Sequence, residues 1–299
     1  MINYSFIIPH KNCFQLLYRC LASIPERDDI QIIVVDDNSI HQQFDFSSLG
    51  KRRIELYKLN EDSTAGGARN VGLQHVKGKW VIFADADDYF TSTVLSVLDC
   101  FRNSEYDYIC HGAKCIDSES GKPSNRLLFY KEGICRYLKG EESIDFIKYH
   151  FHAPWWHIIR TDLIRKYNMQ FEEVSIGNDK LFSYHIGFFA KSIKVIPDEI
   201  YVYSVTPNSI INQKGVAKKY LQRLKNVVKM NVFYDYINHP EWKKNIFRVL
   251  FYPYKEEGFI MLLKTFVLII KNFSKIRDDS RIYIDAIEKC ERYYQTHNK

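Results

Sequence analysis

The sequence predicts an α/β fold, in which a mainly parallel sheet is flanked by helices and followed by a helical C-terminal region. Short, nearly continuous apolar segments alternate with segments of helical period in residues 1–100. Strands that are buried on both faces of a parallel sheet have this composition, and helices connect them. Residues 213–299, in contrast, have helical periodicity nearly throughout. We therefore expect a catalytic or binding unit over residues 1–212 and a separate helical region.

The first predicted elements follow the order β-α-β-β-α-β-α. The strands are expected at residues 5–8, 30–35, 54–59 and 80–84, which are short and apolar. Leucines and valines at helical spacing follow the first, third and fourth of these segments. Pro9 stops the first strand. In such sheets ligands bind beyond the carboxyl ends of the strands, so we expect the polar residues there to form a site.

The composition is that of a globular protein, with 46% hydrophobic and 26% charged residues. It excludes a disordered chain, a collagen-like repeat and a disulfide scaffold. The seven cysteines are odd in number and show no C-x-x-C spacing, and the first residues do not resemble a signal peptide. We expect reduced thiols and a cytoplasmic protein.

Acidic residues follow two of the predicted strands. Asp36 and Asp37 come after the second strand, and Asp85, Asp87 and Asp88 come after the fourth. Carboxylates in D-x-D spacing suit Mg²⁺ or Mn²⁺, which bind few protein groups and share their remaining ligands with phosphates. The alternative is a solvated acidic turn. The pairing of the two acidic segments favours the metal site.

A glycine-rich segment opens the helix between the third and fourth strands. Gly66 and Gly67 allow close approach to the backbone, a helix N-terminus attracts anions, and Arg69 offers a planar fork to phosphate oxygens. The segment matches neither G-x-G-x-x-G nor a P-loop. A glycine turn with a surface arginine is the alternative, and the neighbouring acidic residues favour phosphate binding.

Five segments in order resemble those of family 2 of the inverting glycosyltransferases, which have the GT-A fold. Between residues 5 and 182 they read SFIIPHKN, IIVVDDNS, GGARNVGL, VIFADADDYF and IGNDKLF. The resemblance implies metal-dependent transfer of a sugar from a UDP-sugar to a hydroxyl group of a glycan or lipid-linked oligosaccharide. It also implies a role in cell-surface polysaccharide biosynthesis, and a nucleotide-sugar half over residues 1–112.

The resemblance assigns the donor site by position. Pro9 would line the nucleobase pocket, and either Asp36 or Asp37 would accept a hydrogen bond from the uracil imide N–H. Arg69 would lie near the base and the diphosphate. Asp85 would contact the ribose or the transferred sugar.

The metal and the catalytic base are assigned in the same way. Asp87 would hold the metal, with Asp88 as the alternative. Asp179 would be the base that takes the proton of the acceptor hydroxyl, although Asn178 stands where the family usually has glutamate. Because Asp179 precedes an apolar helical run, it also suits an N-cap.

The acceptor half is expected over residues 113–212. It contains Trp155, Trp156 and His157. We expect one tryptophan to stack on a sugar and the other to pack in the core, with His157 as a polar group for the acceptor.

The C-terminal region is strongly basic. Residues 213–299 carry 18 Lys and Arg against 9 Asp and Glu, a balance of +9, while the preceding residues carry −3. The apolar run 258–270 is shorter than the roughly 20 residues of a membrane-spanning helix. Two interpretations remain: a buried core helix, or a peripheral membrane contact through residues 255–277. No motif for nucleic-acid recognition is present.

Two other functions compete with sugar transfer. A nucleotidyltransferase that makes nucleotide sugars has a similar sheet, but it normally carries a glycine-rich, basic loop after the first strand, where this chain has no glycine. A non-catalytic nucleotide-binding or membrane-docking protein needs no base. The D-x-D segment together with Asp179 argues against it.

Overall fold

A mixed sheet of eight strands organises the first of two units into which the chain divides, Met1–Thr206 and Pro207–Lys299. The computed structural model describes residues 1–40, 44–206 and 216–297. The predicted domain boundary between residues 212 and 213 lies outside the described residues.

The strands of the sheet alternate with helices along the first half of the unit. They are β1 Tyr4–His10, β2 Ile30–Asp36, β3 Arg53–Lys58, β4 Trp80–Phe83, β5 Tyr89–Phe90, β6 Tyr108–Asp117, β7 His157–Arg160 and β8 Ile193–Val205. Their order across the sheet is β3-β2-β1-β4-β7-β6-β8-β5. β1 to β4 pair in parallel, β7 runs antiparallel to β4 and β6, and β5 is antiparallel to β8. The predicted α/β class is confirmed, and the four predicted strands differ from the observed ones by at most two residues at either end.

The helices of this unit cover the sheet. They are α1 Phe14–Ser23, α2 Ala65–Gln74, α3 Thr93–Phe101, α4 Leu128–Leu138, α5 Ile144–His150, α6 Thr161–Tyr167 and α7 Lys180–Phe189. Side chains on both sides of the central strands, such as Phe6, Ile32, Ile33 and Ile82, are fully buried. This explains their continuous apolar sequence, because neither face of these strands meets water.

The parallel register brings the strand ends to one edge. His10 at the end of β1 lies beside Asp36 at the end of β2, and Pro9 lies beside Val35. Residues that follow β2 and β4 therefore emerge at the same edge as Pro9, which is the geometry expected from the sequence.

The second unit is helical in its described part, as predicted. Its helices are α8 Ala217–Tyr236, α9 Ile246–Leu250, α10 Tyr252–Glu257, α11 Phe259–Lys271, α12 Phe273–Asp278 and α13 Ile282–His297. Leu224, Val227, Val249 and Ile276 form one of its apolar clusters. Among the helices described, none combines the length and the apolar character that crossing a membrane requires.

The cysteines form no disulfide bond. All seven are free thiols, distributed between buried and exposed positions. This agrees with the prediction of reduced thiols.

Candidate functional site

Arg69 joins the segment after β4 to the segment before α7. Its Nη2 donates a hydrogen bond to Oδ1 of Asp85 at 2.6 Å, and its Nη1 donates to Oδ1 of Asn178 at 3.0 Å. The guanidinium group is buried and lies 5.4 Å from the centre of the Phe171 ring, whereas the Asp85 side chain is one third exposed. Three of the five segments singled out in the sequence thus converge on one arginine.

The fork of Arg69 is therefore occupied by protein acceptors. The sequence predicts that it faces phosphate oxygens, and in the structure it binds Asp85 and Asn178. Since a buried guanidinium group needs acceptors for its N–H groups, this pairing stabilises Nη1 and Nη2, while the buried Nε has no acceptor among the described residues. The contact of Arg69 with a diphosphate stays a prediction.

The glycines at the start of α2 permit contact between two parts of the chain. A Cβ atom on Gly66 would overlap the carbonyl oxygen of Glu172, and one on Gly67 would overlap Oγ of Ser63. The N–H group of Gly67 donates to Oγ1 of Thr64, the N-cap of the helix, at 3.2 Å. This close packing differs from the ligand approach expected from the sequence. The role of Gly67 in donor binding stays a prediction.

Asp88 faces the protein interior. It is fully buried, its Oδ2 accepts a hydrogen bond from the Tyr201 hydroxyl group at 2.8 Å, and its Oδ1 accepts one from the Ser204 N–H group at 2.7 Å. Both partners lie on β8. The alternative assignment of Asp88 as the main metal ligand is therefore corrected, because both oxygens already bind protein donors. Asp88 anchors the acidic segment to the sheet.

Asp87 has a different environment from Asp88. Its side chain is partly exposed, and its backbone carbonyl oxygen accepts a hydrogen bond from Nη2 of Arg19. The same Arg19 nitrogen donates to Oγ of Ser204 at 3.2 Å, and the guanidinium group lies 4.8 Å from the centre of the Tyr89 ring. Arg19 thus holds the backbone of the acidic segment and leaves the Asp87 side chain partly exposed.

Negative charge is concentrated in the acidic segment. Burial and the charge of Asp85 raise the pKa of Asp87 to about 6. Burial and the charges of both neighbours raise the pKa of Asp88 well above its usual value. A cation at Asp87 would relieve this repulsion.

This donor set fits one kind of metal. Within the described residues, no group of three or more His, Cys, Asp and Glu side chains could hold a metal ion without other ligands. Mg²⁺ and Mn²⁺ usually bind through one or two protein carboxylates and complete their shell with phosphate oxygens and water. Asp87 therefore fits a divalent cation that shares its ligands with a diphosphate.

The carboxylates after β2 are buried and held by neighbouring backbone and side chains. Asp36 accepts hydrogen bonds from the hydroxyl group of Ser39 and, at 3.4 Å, from its N–H group. Oδ1 of Asp37 accepts from the Ser63 N–H group at 2.6 Å, and its Oδ2 lies 3.6 Å from Nζ of Lys11. Both are fixed in direction at the edge of the sheet. Which of them contacts a nucleobase stays a prediction, as does the role of Pro9.

Asp179 stands at the N-cap position of α7 without capping it. Its side chain makes no capping hydrogen bond. Burial is the largest influence on this carboxyl and raises its pKa; Lys180 and Arg69 act in the opposite direction, and Asp85 adds to the rise. A carboxyl group whose side chain makes no capping hydrogen bond and whose pKa is raised is typical of a general base. The capping role expected for its side chain is wrong.

The residues proposed for the acceptor are buried. Trp155 and Trp156 lie in a short 3₁₀ helix, Pro154–Trp156, and are 5% and 1% exposed, while His157 is 2% exposed. Trp155 stacks on the ring of Tyr201 with the centroids 4.8 Å apart. The predicted sugar contact of one tryptophan and the acceptor role of His157 are therefore corrected, because none of the three residues presents a face to solvent, whereas the core packing predicted for the other tryptophan is confirmed. Trp155 instead supports the tyrosine that binds Asp88.

Two residues of this site were not singled out in the sequence. Arg19 is a basic residue of an ordinary amphipathic helix, and no local pattern shows that it reaches the carbonyl group of Asp87. Tyr201 lies in the segment YVYSV, whose alternation predicts a strand but not a hydrogen bond to Asp88. Both contacts depend on long-range packing.

Comparison with known proteins supports the same family as these segments. Residues 5–167 match the family model described as Glycosyl transferase family 2. The chain is 25% identical over 233 residues to the uncharacterized glycosyltransferase EpsJ of Bacillus subtilis (strain 168). This match covers 73% of this chain and 66% of EpsJ. It is also 25% identical over 213 residues to the poly(ribitol-phosphate) beta-N-acetylglucosaminyltransferase TarS of Staphylococcus aureus (strain MW2). This second match covers 68% of this chain and 36% of TarS. The matches thus span from about a third to just under two thirds of these relatives.

A solved structure has the same fold. The crystal structure of S. aureus TarS 1-349 in complex with UDP-GlcNAc superposes with a TM-score of 0.64 at 17% sequence identity. The superposition covers 99% of this chain and 90% of that chain.

Proposed function

The chain belongs to glycosyltransferase family 2, and on this premise we propose that it is an inverting, metal-dependent enzyme that uses a UDP-sugar. The observation that carries the proposal is the position of Arg69. Its guanidinium group binds Asp85 of the acidic segment and Asn178, the neighbour of Asp179. One side chain thereby binds both a carboxylate expected at the donor and the residue that precedes the expected base.

The donor is a UDP-sugar in this proposal. A protein of the same fold, TarS, has been solved in complex with UDP-GlcNAc. Asp36 and Asp37, both buried at the carboxyl end of β2, offer acceptors for the imide N–H group of uracil. Asp87 would hold Mn²⁺ or Mg²⁺, which supplies positive charge where the diphosphate departs.

The reaction needs one proton acceptor and no protein nucleophile. The acceptor hydroxyl oxygen attacks the anomeric carbon from the side opposite the diphosphate, and its proton passes to the Asp179 carboxylate. The new glycosidic bond forms as the bond to the diphosphate breaks, and the electron pair leaves with UDP. One displacement inverts the configuration at this carbon.

Arg69 has a positioning role in this reaction. It orients Asp85 on one side and Asn178 on the other. The proposed base, Asp179, therefore comes directly after a residue whose side chain is fixed. Orientation of this kind lowers the entropic cost of bringing the reacting groups together.

The acceptor is a hydroxyl group of a glycan or of a lipid-linked oligosaccharide, and the product contributes to a cell-surface polysaccharide. TarS, by its name, acts on poly(ribitol-phosphate). An acceptor linked to lipid is confined to a bilayer, and we accordingly place the enzyme in the cytoplasm at the inner face of the cell membrane.

Calorimetric titration with UDP, followed by transfer assays with a panel of UDP-sugars, tests the proposal. We expect UDP to bind only when Mn²⁺ or Mg²⁺ is present, and one UDP-sugar to release UDP faster when an acceptor glycan is added. Absence of UDP binding with either metal would exclude a UDP-sugar donor. Synthesis of a UDP-sugar from UTP and a sugar phosphate would instead indicate a nucleotidyltransferase.

A further inference from the structure

Helix α11 of the second unit has two apolar faces. One face is packed, with Met261 and Thr265 buried. The other face carries large apolar side chains that are 50–70% exposed: Phe259 61%, Ile260 70%, Leu263 50%, Phe266 53%, Val267 50% and Ile270 62%. At about 100° per residue these six side chains fall on a single stripe. We refer to them as the exposed face of α11.

The exposure of this face answers a question left open by the sequence. A helix buried in a core has no stripe of exposed phenylalanine, leucine and isoleucine side chains, so the interpretation of residues 258–270 as a wholly buried helix is wrong. Phe273, the first residue of α12, is also 66% exposed. Contiguous apolar surface of this kind marks an interaction site in a folded protein.

Lysines border the exposed face. Lys264 and Lys271, seven residues apart, lie beside the stripe and are exposed, and exposed Lys255 and Lys275 stand just before and after the helix. Within the part of the chain that the structure describes, no ion pair involves any of these four lysines. Their charge is therefore available to an anionic partner.

We infer that the exposed face of α11 docks onto a lipid bilayer that contains anionic headgroups, with the helix parallel to the membrane surface. Its thirteen residues extend about 20 Å, which is too short to cross a hydrocarbon core of about 30 Å. Apolar side chains on one stripe with lysines at its border are typical of a helix that lies in the interface.

Charge favours a membrane over a second copy of the chain. Residues 213–299 carry a balance of +9, so two copies that met through this face would bring like charges together. Anionic lipid attracts the same lysines. This docking is independent of the sugar-transfer reaction, because it depends only on residues of the second unit.

Sedimentation of the full chain with vesicles tests the inference. We expect binding to vesicles that contain phosphatidylglycerol and much weaker binding to vesicles of phosphatidylcholine alone. Substitution of Leu263, Phe266 and Ile270 by Ser should weaken binding by more than about tenfold. The control replaces Leu128 and Leu138 of the first unit, which are 47% and 48% exposed, by Ser and should bind like the wild type. Circular dichroism verifies that both variants are folded.

The lysines are tested separately. Lys264→Gln combined with Lys271→Gln should reduce binding to the anionic vesicles on the order of thirtyfold, while the two Arg substitutions at the same positions should preserve it. Phe266→Trp should acquire indole fluorescence that brominated lipid quenches.

Three results would overturn the inference. One is absence of binding by the wild type to anionic vesicles at low salt. Another is equal binding by the variant with three serines. The third is a dimer, seen by analytical ultracentrifugation, that the three serines abolish while vesicle binding remains unchanged; this would assign the face to a second copy.

Discussion

The hydroxyl group of Tyr201 donates a hydrogen bond to Oδ2 of buried Asp88 at a distance of 2.8 Å. The same hydroxyl oxygen accepts a hydrogen bond from the N–H group of Asp85 at 2.9 Å. One side chain of β8 thus fixes both ends of the segment that carries Asp87. The direction of the expected metal ligand depends on this tyrosine.

Tyr201→Phe should therefore weaken metal-dependent UDP binding and also destabilise the fold. The variant leaves a buried carboxylate with one donor fewer, which costs about 1–3 kcal/mol. Urea unfolding measures the loss of stability, and calorimetry with UDP and Mn²⁺ measures the affinity. The control is Tyr203→Phe on the same strand, which should change both quantities little. Equal behaviour of the two variants would contradict the anchoring role of Tyr201.

Asp87→Ala should abolish metal-dependent binding of UDP while the fold stays intact. The Asp87 side chain is partly exposed, and its backbone carbonyl group, which the variant retains, makes the contact with Arg19. Calorimetric titration with UDP in the presence of Mn²⁺ is the measurement. Glu119→Ala, which removes an exposed carboxylate elsewhere in the unit, serves as the control. Wild-type affinity in the Asp87 variant would move the metal site to other residues.

Asp179→Asn should reduce turnover by roughly 10²–10⁴ with little change in UDP affinity, because it removes only the proton acceptor. Stability should also remain the same, since the Asp179 side chain makes no capping hydrogen bond. The two measurements are sugar transfer at saturating donor and UDP titration with Mn²⁺. Near-normal turnover would exclude Asp179 as the base, and loss of UDP binding would place it in the donor site.

The pH dependence of transfer provides a further check on Asp179. Only the ionised carboxylate accepts a proton, and burial raises its pKa above the ordinary value for aspartate. Turnover should therefore fall as the pH is lowered through that raised pKa, at a higher pH than an exposed aspartate would give. In the Asn variant the residual turnover should lack this decrease. An identical acidic limb in both proteins would assign it to another group.

Two buried histidines should make the first unit sensitive to acid. Burial lowers the pKa of His111 to about 4 and, together with the charge of His111, lowers that of His157 to about 3. Well above pH 6.5 both are neutral whether the chain is folded or unfolded. As the pH falls below 6.5 the unfolded chain takes up protons first, so each histidine should cost about 2 kcal/mol of stability by pH 5.

The measurement for this prediction is urea unfolding at pH 7.5 and pH 5. In His157→Leu the difference in unfolding free energy between the two pH values should be smaller than in the wild type by about 2 kcal/mol. An unchanged difference would show that His157 is not protonated on unfolding.

The elements of the site could be predicted because their signals are local. The apolar segments of β2 and β4 end in acidic residues within a few positions, and parallel pairing then places those residues at one edge. The long-range hydrogen bonds between these residues could not be predicted. Tyr201 and Asp88 are 113 positions apart, and neither sequence segment contains a sign of the other.

The residues whose predicted contacts are wrong also show that long-range contacts are not evident from local sequence. Trp155 and Trp156 are adjacent, and in a strand they would point to opposite sides; in a 3₁₀ turn both became buried. The fork of Arg69 is evident from its chemistry, but the acceptors that fill it come from distant parts of the chain. A motif specifies what a side chain can bind, and tertiary packing decides which partner it meets.

Gly66 limits how this part of the sequence can change among related proteins. The carbonyl oxygen of Glu172 occupies the space where any other amino acid would carry its first side-chain carbon. As long as the backbone that leads from Glu172 to Asp179 keeps this conformation, no other amino acid fits at position 66, even where the surrounding residues vary. A saturation library at position 66 should return glycine alone among active clones, which makes it a fixed point for aligning distant members of the family.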